Sequence, residues 1–215
     1  MSEMHVLQQK RPIGEWTDFF ATALAEVPVV AIMRHVTADD AVAIARECWD
    51  RGIRLVEVTV ERPEGVDALR AVVEAAGGRS PVGAGTVTTP ERLGTAVEAG
   101  ASFAVAPGLD EDTVRAADRQ GIPMLPGVFS PTEVGQAVRM GVTTVKAFPS
   151  SVLGPEWVSA IAGPFPELRV VGTGGVTAEL APRLLDAGAL GVGVGGAILA
   201  DGVAALVQST RRSGR

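Results

Sequence analysis

The sequence predicts an α/β protein, a closed (β/α)8 or TIM barrel with an extra N-terminal helix, on three observations. Eight short runs rich in valine and other apolar residues alternate with stretches of helical spacing. Glycines end the helical stretches at Gly52, Gly77, Gly100, Gly121, Gly141, Gly163 and Gly188, as left-handed helix stops do. Their intervals of about 20 to 25 residues match one strand plus one helix. The third observation is an internal echo: Val-Gly-Ala-Gly-Thr-Val-Thr from Val82, then Ala-Gly-Ala from Ala99, resembles Val-Gly-Thr-Gly-Gly-Val-Thr from Val171, then Ala-Gly-Ala from Ala187. The echo lies four units apart, as a doubled half-barrel gives. Parallel strands need covered faces and right-handed crossovers, which a closed barrel supplies. A doubly wound open sheet alternates too, but has no reason to repeat every four units.

In chain order, Trp16, Phe19, Phe20 and Leu24 recur at three-to-four residue spacing over 15–25, an amphipathic helix placed to close one end of the core. Strands follow at 29–33, 55–60, 82–87, 103–106, 124–129, 144–148, 169–172 and 189–194, with the first two crossover helices at 39–50 and 65–76. The length of 215 residues, with 47% hydrophobic residues, 26 glycines and 14 prolines, suits one domain of many short elements and tight turns. Residues 1–26 form its N-terminal segment and helix, and residues 27–215 the barrel.

Composition narrows the function classes. A net charge of -6 argues against a nucleic-acid partner, whose phosphates need clustered lysine and arginine. Cys48 is the single cysteine, so no internal disulfide forms, and its helical setting reads as packing. With only His5 and His35, neither a zinc cluster nor a histidine-centred triad assembles easily, and no metal or cofactor is expected. No apolar run reaches the roughly 18 residues of a membrane helix, and the polar N-terminus lacks a signal-peptide core. A soluble cytoplasmic protein without a membrane partner is the expectation.

Barrels of this type build their sites where strands end and βα loops begin. In Thr-Val-Lys-Ala-Phe-Pro from Thr144, alternation puts Thr144, Lys146 and Phe148 on one face. In Leu-Val-Glu-Val-Thr-Val from Leu55, it puts Val56, Val58 and Val60 under the helices and Glu57 inside. A buried lysine and a buried glutamate each cost several kcal/mol unless paired or neutralised, so one of each in a single interior points to a shared space. A salt bridge that merely fixes barrel packing is the structural alternative. A lysine among apolar groups loses its proton readily and becomes an amine able to form a Schiff base with a ketone; a neighbouring carboxyl group can move the protons. At the other end of the chain, Gly172-Thr173-Gly174-Gly175 and Gly193-Val194-Gly195-Gly196 close the last two strands before helices. Backbone N–H groups there suit an anion such as phosphate.

The motifs Glu57-Val-Thr, Gly83-Ala-Gly-Thr86, Ala106-Pro107-Gly108, Leu125-Pro-Gly127, Lys146-Ala-Phe-Pro149, Gly163-Pro-Phe165 and Thr173-Gly-Gly175 occur in this order. Together they resemble the 2-keto-3-deoxy-6-phosphogluconate (KDPG) and 4-hydroxy-2-oxoglutarate (KHG) aldolase family, over about residues 27–206. The resemblance implies a homotrimeric barrel in which Lys146 forms an imine with pyruvate or the keto acid and Glu57 carries protons. It further implies that Thr86 helps hold the pyruvate carboxylate, that Pro107 and Phe148 line the pocket, and that Thr173, Gly174, Gly175, Gly195 and Gly196 hold phosphate. Two positions depart from the family pattern. Glu61 stands where some relatives place an arginine, so Arg34 at the end of the first strand, or Arg62, is expected to supply the missing cation. Ala197 stands where some relatives place a serine near the phosphate, which favours weaker phosphate binding or an unphosphorylated substrate. The expected activity is cleavage of KDPG, or a related 2-keto acid, to pyruvate and an aldehyde such as glyceraldehyde 3-phosphate. The alternatives are a phosphate-binding barrel isomerase or synthase that forms no imine, and a barrel whose site has decayed.

Overall fold

The strands form one parallel sheet that curls into a barrel. The computed structural model describes residues 10–210, apart from the side chains of 197, 199–201 and 209; His5 and the polar N-terminal stretch lie outside the described residues. In chain order the strands are β1 (Val29–Met33), β2 (Leu55–Thr59), β3 (Val82–Gly85), β4 (Phe103–Val105), β5 (Met124–Leu125), β6 (Gly127–Val128), β7 (Thr144–Ala147), β8 (Arg169–Thr173) and β9 (Gly191–Val194). Their spatial order is β5-β4-β3-β2-β1-β9-β8-β7-β6. The predicted fifth strand is thus two short strands, because Pro126 between them has no N–H to give to a ladder. Their outer partners close the ring: Leu125 accepts from Ala106 N at 3.1 Å, and Pro126 O accepts from Lys146 N at 2.8 Å.

The helices are α1 (Trp16–Ala23), α2 (Ala38–Asp50), α3 (Pro63–Ala76), α4 (Pro90–Glu98), α5 (Glu111–Gln120), α6 (Pro131–Arg139), α7 (Ser150–Ile161), α8 (Leu180–Asp186) and α9 (Gly196–Thr210), with a 3-10 turn at Ile13–Glu15 ahead of α1. Side-chain caps start four of them, at Thr37, Thr89, Asp110 and Ser130, and Ser130 forms a reciprocal capping box with Glu133. Six of the seven expected glycine stops have positive φ; Gly163 does not. Gly163 precedes Pro164, whose ring restricts the backbone of the residue before it.

Alternation sorts the strand residues as expected. Val56, Val58 and Val60 pack in the large outer core under the helices, as do Val145 and Ala147. Leu55, Phe103, Val105, Leu125 and Val171 pack inside the barrel with Phe19 and Phe20 of α1. The N-terminal helix is therefore a plug at the N-terminal end of the strands. Its rings meet edge to face, with centroids 5.0 Å apart between Phe19 and Phe20 and 6.1 Å between Phe20 and Phe103. Thr17 on the same helix exchanges hydroxyl hydrogen bonds with Thr143 and Thr144, at 2.7 and 2.8 Å. The inward face of β7 thus runs from the plug at Thr144, through Lys146, to Phe148 at the mouth.

Candidate active site

Above the plug lies a cavity of about 610 Å³, bounded by residues from the ends of β1, β2, β7, β8 and β9. Lys146 and Glu57 both line it and are only 5% and 2% exposed. Neighbouring register explains their height in the barrel: Lys146 lies opposite Val171 and Gly127, and Glu57 opposite Ile32 and Gly83. Lys146 Nζ sits 4.9 Å from the centroid of the Phe148 ring, within the range of a cation–π contact. No direct ion pair joins it to Glu57 among the described residues. The two groups face a common space, so the packing salt bridge considered from the sequence is not formed.

Burial pushes the Lys146 ammonium below the ordinary lysine range; Glu57 opposes this and Arg34 reinforces it. Burial likewise raises the Glu57 carboxyl above the ordinary range, against Lys146 and Arg34 and with help from Glu61. Both groups are driven toward their neutral forms. A neutral amine and a carboxyl group with a raised pKa are the pair that imine formation and proton transfer need near neutral pH.

Arg34 reaches the same cavity from the end of β1. Its Nη1 donates to Glu61 Oε1 at 2.6 Å and its Nη2 to Thr86 Oγ1 at 2.9 Å. His35 Nε2 lies 3.1 Å from the same Glu61 oxygen. Hydrogen bonding and the Arg34 and His35 charges outweigh burial and hold Glu61 below the usual carboxylate range. Arg62, the other candidate cation, is exposed at the N-cap of α3 and lines two outer clefts instead of the central cavity. Strand direction explains the difference: the chain leaves β2 toward α3, carrying Arg62 outward, whereas Arg34 still lies on the inner face.

The glycine-rich loops converge on the opposite wall, where Thr173, Gly174, Gly175, Gly195 and Gly196 all line the cavity. Gly174 has φ +93°, and a Cβ there would stand 2.8 Å from the Phe148 ring. Its carbonyl accepts from Ser151 N at 3.0 Å, tying the β8 loop to the start of α7. Among the described residues Arg34, His35 and Lys146 are the basic residues that line the cavity, and none of the three belongs to the glycine-rich wall. An anion there would meet backbone N–H groups of the loops that close β8 and β9.

A family model for KDPG and KHG aldolases matches residues 21–209. The chain belongs to the KDPG and KHG aldolase family. It is 33% identical to the 2-dehydro-3-deoxy-6-phosphogalactonate aldolase of Escherichia coli K12 over 171 residues, 79% of this chain and 83% of the relative. The crystal structure of a 4-hydroxy-2-oxoglutarate/2-dehydro-3-deoxyphosphogluconate aldolase from TTHB1 superposes with a TM-score of 0.79 at 34% identity, covering 89% of this chain and 95% of that one. A KDPG aldolase from Legionella pneumophila, with pyruvate captured as a covalent carbinolamine, superposes with a TM-score of 0.76 at 28% identity, covering 89% of this chain and 96% of that one. The protein is accordingly an aldolase with the TIM-like fold of its family.

Within this aldolase, two residues besides Arg62 that were given roles from the sequence lie off the cavity lining. Thr86 is half-buried at the end of β3, in contact with Arg34. Pro107 is half-buried after β4, its carbonyl against Gly127 of β6. The side chain of Ala197 lies outside the described set. Sequence reasoning missed Gly85, Ile32 and His35. Gly85 matters because a Cβ there would occupy the place of the Glu57 carboxylate. The signal was available: Gly83 and Gly85 fall on one inward face beside Glu57, so that face was bound to leave room. His35, at φ +55°, gave no sequence signal of its left-handed backbone.

Proposed function

We propose that the protein is a class I aldolase that cleaves a 2-keto-3-deoxy-6-phospho sugar acid, KDPG foremost, to pyruvate and glyceraldehyde 3-phosphate. The observation that carries this reading is the buried Lys146 and Glu57, both shifted toward neutrality, on one cavity. The carbinolamine held by the Legionella pneumophila relative supports a lysine adduct here. In this reading Lys146 Nζ attacks the C2 ketone, and Glu57 donates the proton with which the carbinolamine loses water. The Glu57 carboxylate then takes the C4 hydroxyl proton as the C3–C4 bond breaks and its electrons flow into the iminium. The aldehyde leaves, the enamine is protonated at C3, and water releases pyruvate and the free lysine. Arg34, with Thr86 on its guanidinium, holds the keto acid carboxylate, Phe148 borders the reacting carbons, and Thr173, Gly174, Gly175, Gly195 and Gly196 receive the phosphate through backbone N–H groups. We further infer a homotrimer in the cytoplasm, which sedimentation and cell fractionation test.

Incubation with pyruvate and borohydride, followed by peptide mass spectrometry, is expected to leave a reduced adduct on Lys146. An unmodified Lys146 under conditions that label a known family member refutes the imine and leaves only an aldolase of other chemistry. Steady-state assays on KDPG, its 6-phosphogalactonate counterpart and KHG then rank the substrates. Because no lysine or arginine among the described residues lies on the glycine-rich wall, removal of the substrate phosphate is expected to raise KM by less than a charge-paired site would show, about 10- to 100-fold.

A further inference from the structure

Glu61 stands where the family resemblance leads one to expect arginine, and its geometry gives it a different task. It lines the cleft of about 550 Å³ between β1, β2 and the starts of α2 and α3, and not the catalytic cavity that Arg34 lines. It therefore reaches substrate only through other residues. Its Oε1 accepts from Arg34 Nη1 at 2.6 Å, and the far end of that guanidinium donates to Thr86 Oγ1 at 2.9 Å. The Arg34 side chain is 48% exposed and Glu61 19%. An arginine this exposed has about 2 kcal/mol of rotamer entropy to lose before it can present a fixed fork. A less exposed carboxylate behind it removes much of that freedom in advance.

Thr86 adds an independent observation. This β-branched residue holds φ +61°, a left-handed conformation that such side chains rarely adopt and that costs about 1–3 kcal/mol. Its hydroxyl is held by Arg34, while its carbonyl accepts from Arg92 Nη1 at 3.2 Å. The strained residue is thus gripped at both polar ends, and one grip depends on a guanidinium that Glu61 anchors.

We propose that Glu61 is a positioning residue that clamps Arg34 against Thr86, so that the carboxylate-recognising guanidinium of this aldolase is delivered from β1 instead of from the end of β2. The role deepens the class I reading above and rests on it. Glu61 contributes binding of the keto acid carboxylate, which is the same before and during bond cleavage. Its loss therefore raises KM with little effect on kcat.

The test is a double-mutant cycle on kinetics, with variants Glu61→Ala, Arg34→Ala and the pair, alongside melting temperatures and borohydride trapping of the wild type. Glu61→Ala is expected to raise KM for the keto acid, and the inhibition constant of pyruvate, about tenfold while kcat stays within about threefold. In the Arg34→Ala background the same change is expected to add nothing, since Glu61 acts through Arg34. Glu61→Gln, which keeps the acceptor oxygen without its charge, is expected to fall between, and it serves for the comparison if alanine unfolds the chain. A lowered melting temperature with unchanged KM in a trapping-competent enzyme overturns the positioning role alone. A KM penalty that persists without Arg34 overturns it as well. Absence of any Lys146 adduct in the wild type overturns the class I reading and this role with it.

Discussion

Gly85 offers the most direct perturbation of the proposed proton carrier. It ends β3 beside Glu57, and a methyl group built on it would lie 2.7 Å from Glu57 Cδ and 2.8 Å from Cγ. Ordinary carbon contacts need about 3.5–4.0 Å, so Gly85→Ala forces the carboxylate back by about 1 Å. The backbone accepts alanine, because Gly85 is not among the glycines with positive φ. Glu57 borders the cavity and has somewhere to go, so the damage falls on geometry more than on stability. A displacement of this size costs about 10²-fold in rate, or about 2.7 kcal/mol in the barrier. Pyruvate release coupled to lactate dehydrogenase reads kcat, and calorimetry reads the melting temperature. We expect kcat to fall about 100-fold, with the Lys146 adduct still trapped by borohydride but formed more slowly. A folded Gly85→Ala enzyme with kcat within about threefold of wild type would show that Glu57 is not the group whose position limits turnover.

The pH dependence of imine formation separates the neighbours of Lys146. Burial and Arg34 depress its pKa while Glu57 raises it, so trapping should rise with pH along a limb set by this amine. Arg34→Met removes a cation that favours the free amine and is expected to move the limb to higher pH; Glu57→Gln removes an anion that favours the ammonium and should move it lower. Shifts of the same sign in both variants contradict the electrostatics argued here. At the plug, Phe20 is fully buried against Phe19 and Phe103, and Phe20→Ala is expected to cost about 3–5 kcal/mol in urea unfolding. A loss under about 1 kcal/mol would mean that α1 does not close the barrel core.

The fold was legible because barrel construction repeats a simple rule. Each strand is buried on both faces, so it reads as a short apolar run, and six of the seven glycine stops mark the joins with a positive φ that other residues avoid. The fifth strand shows the limit of that reading. Its apolar pattern is continuous over 124–129, but Pro126 breaks the ladder, and the ring closes by hydrogen bonds to Ala106 and Lys146 on either side of the break. Pattern reports which way side chains point; it does not report which backbone groups find partners.

The site divides along the same line. Lys146 and Glu57 were legible because a charge at an inward strand position is expensive, and expense in a barrel interior points to function. Arg34 was reachable by the same alternation. Glu61 was not: taken alone it marks a missing cation, and only the side-chain path shows its carboxylate turned onto the arginine of the neighbouring strand. Position along a chain fixes the residue that a loop offers, whereas the route of a long polar side chain depends on its partners in space. A substitution that reverses charge at a binding site therefore need not reverse the site's charge, provided a neighbouring strand carries the compensating group within reach. Here the Arg34–Glu61 pair, only 2.6 Å long, keeps a guanidinium beside Thr86 although the β2 loop contributes an anion.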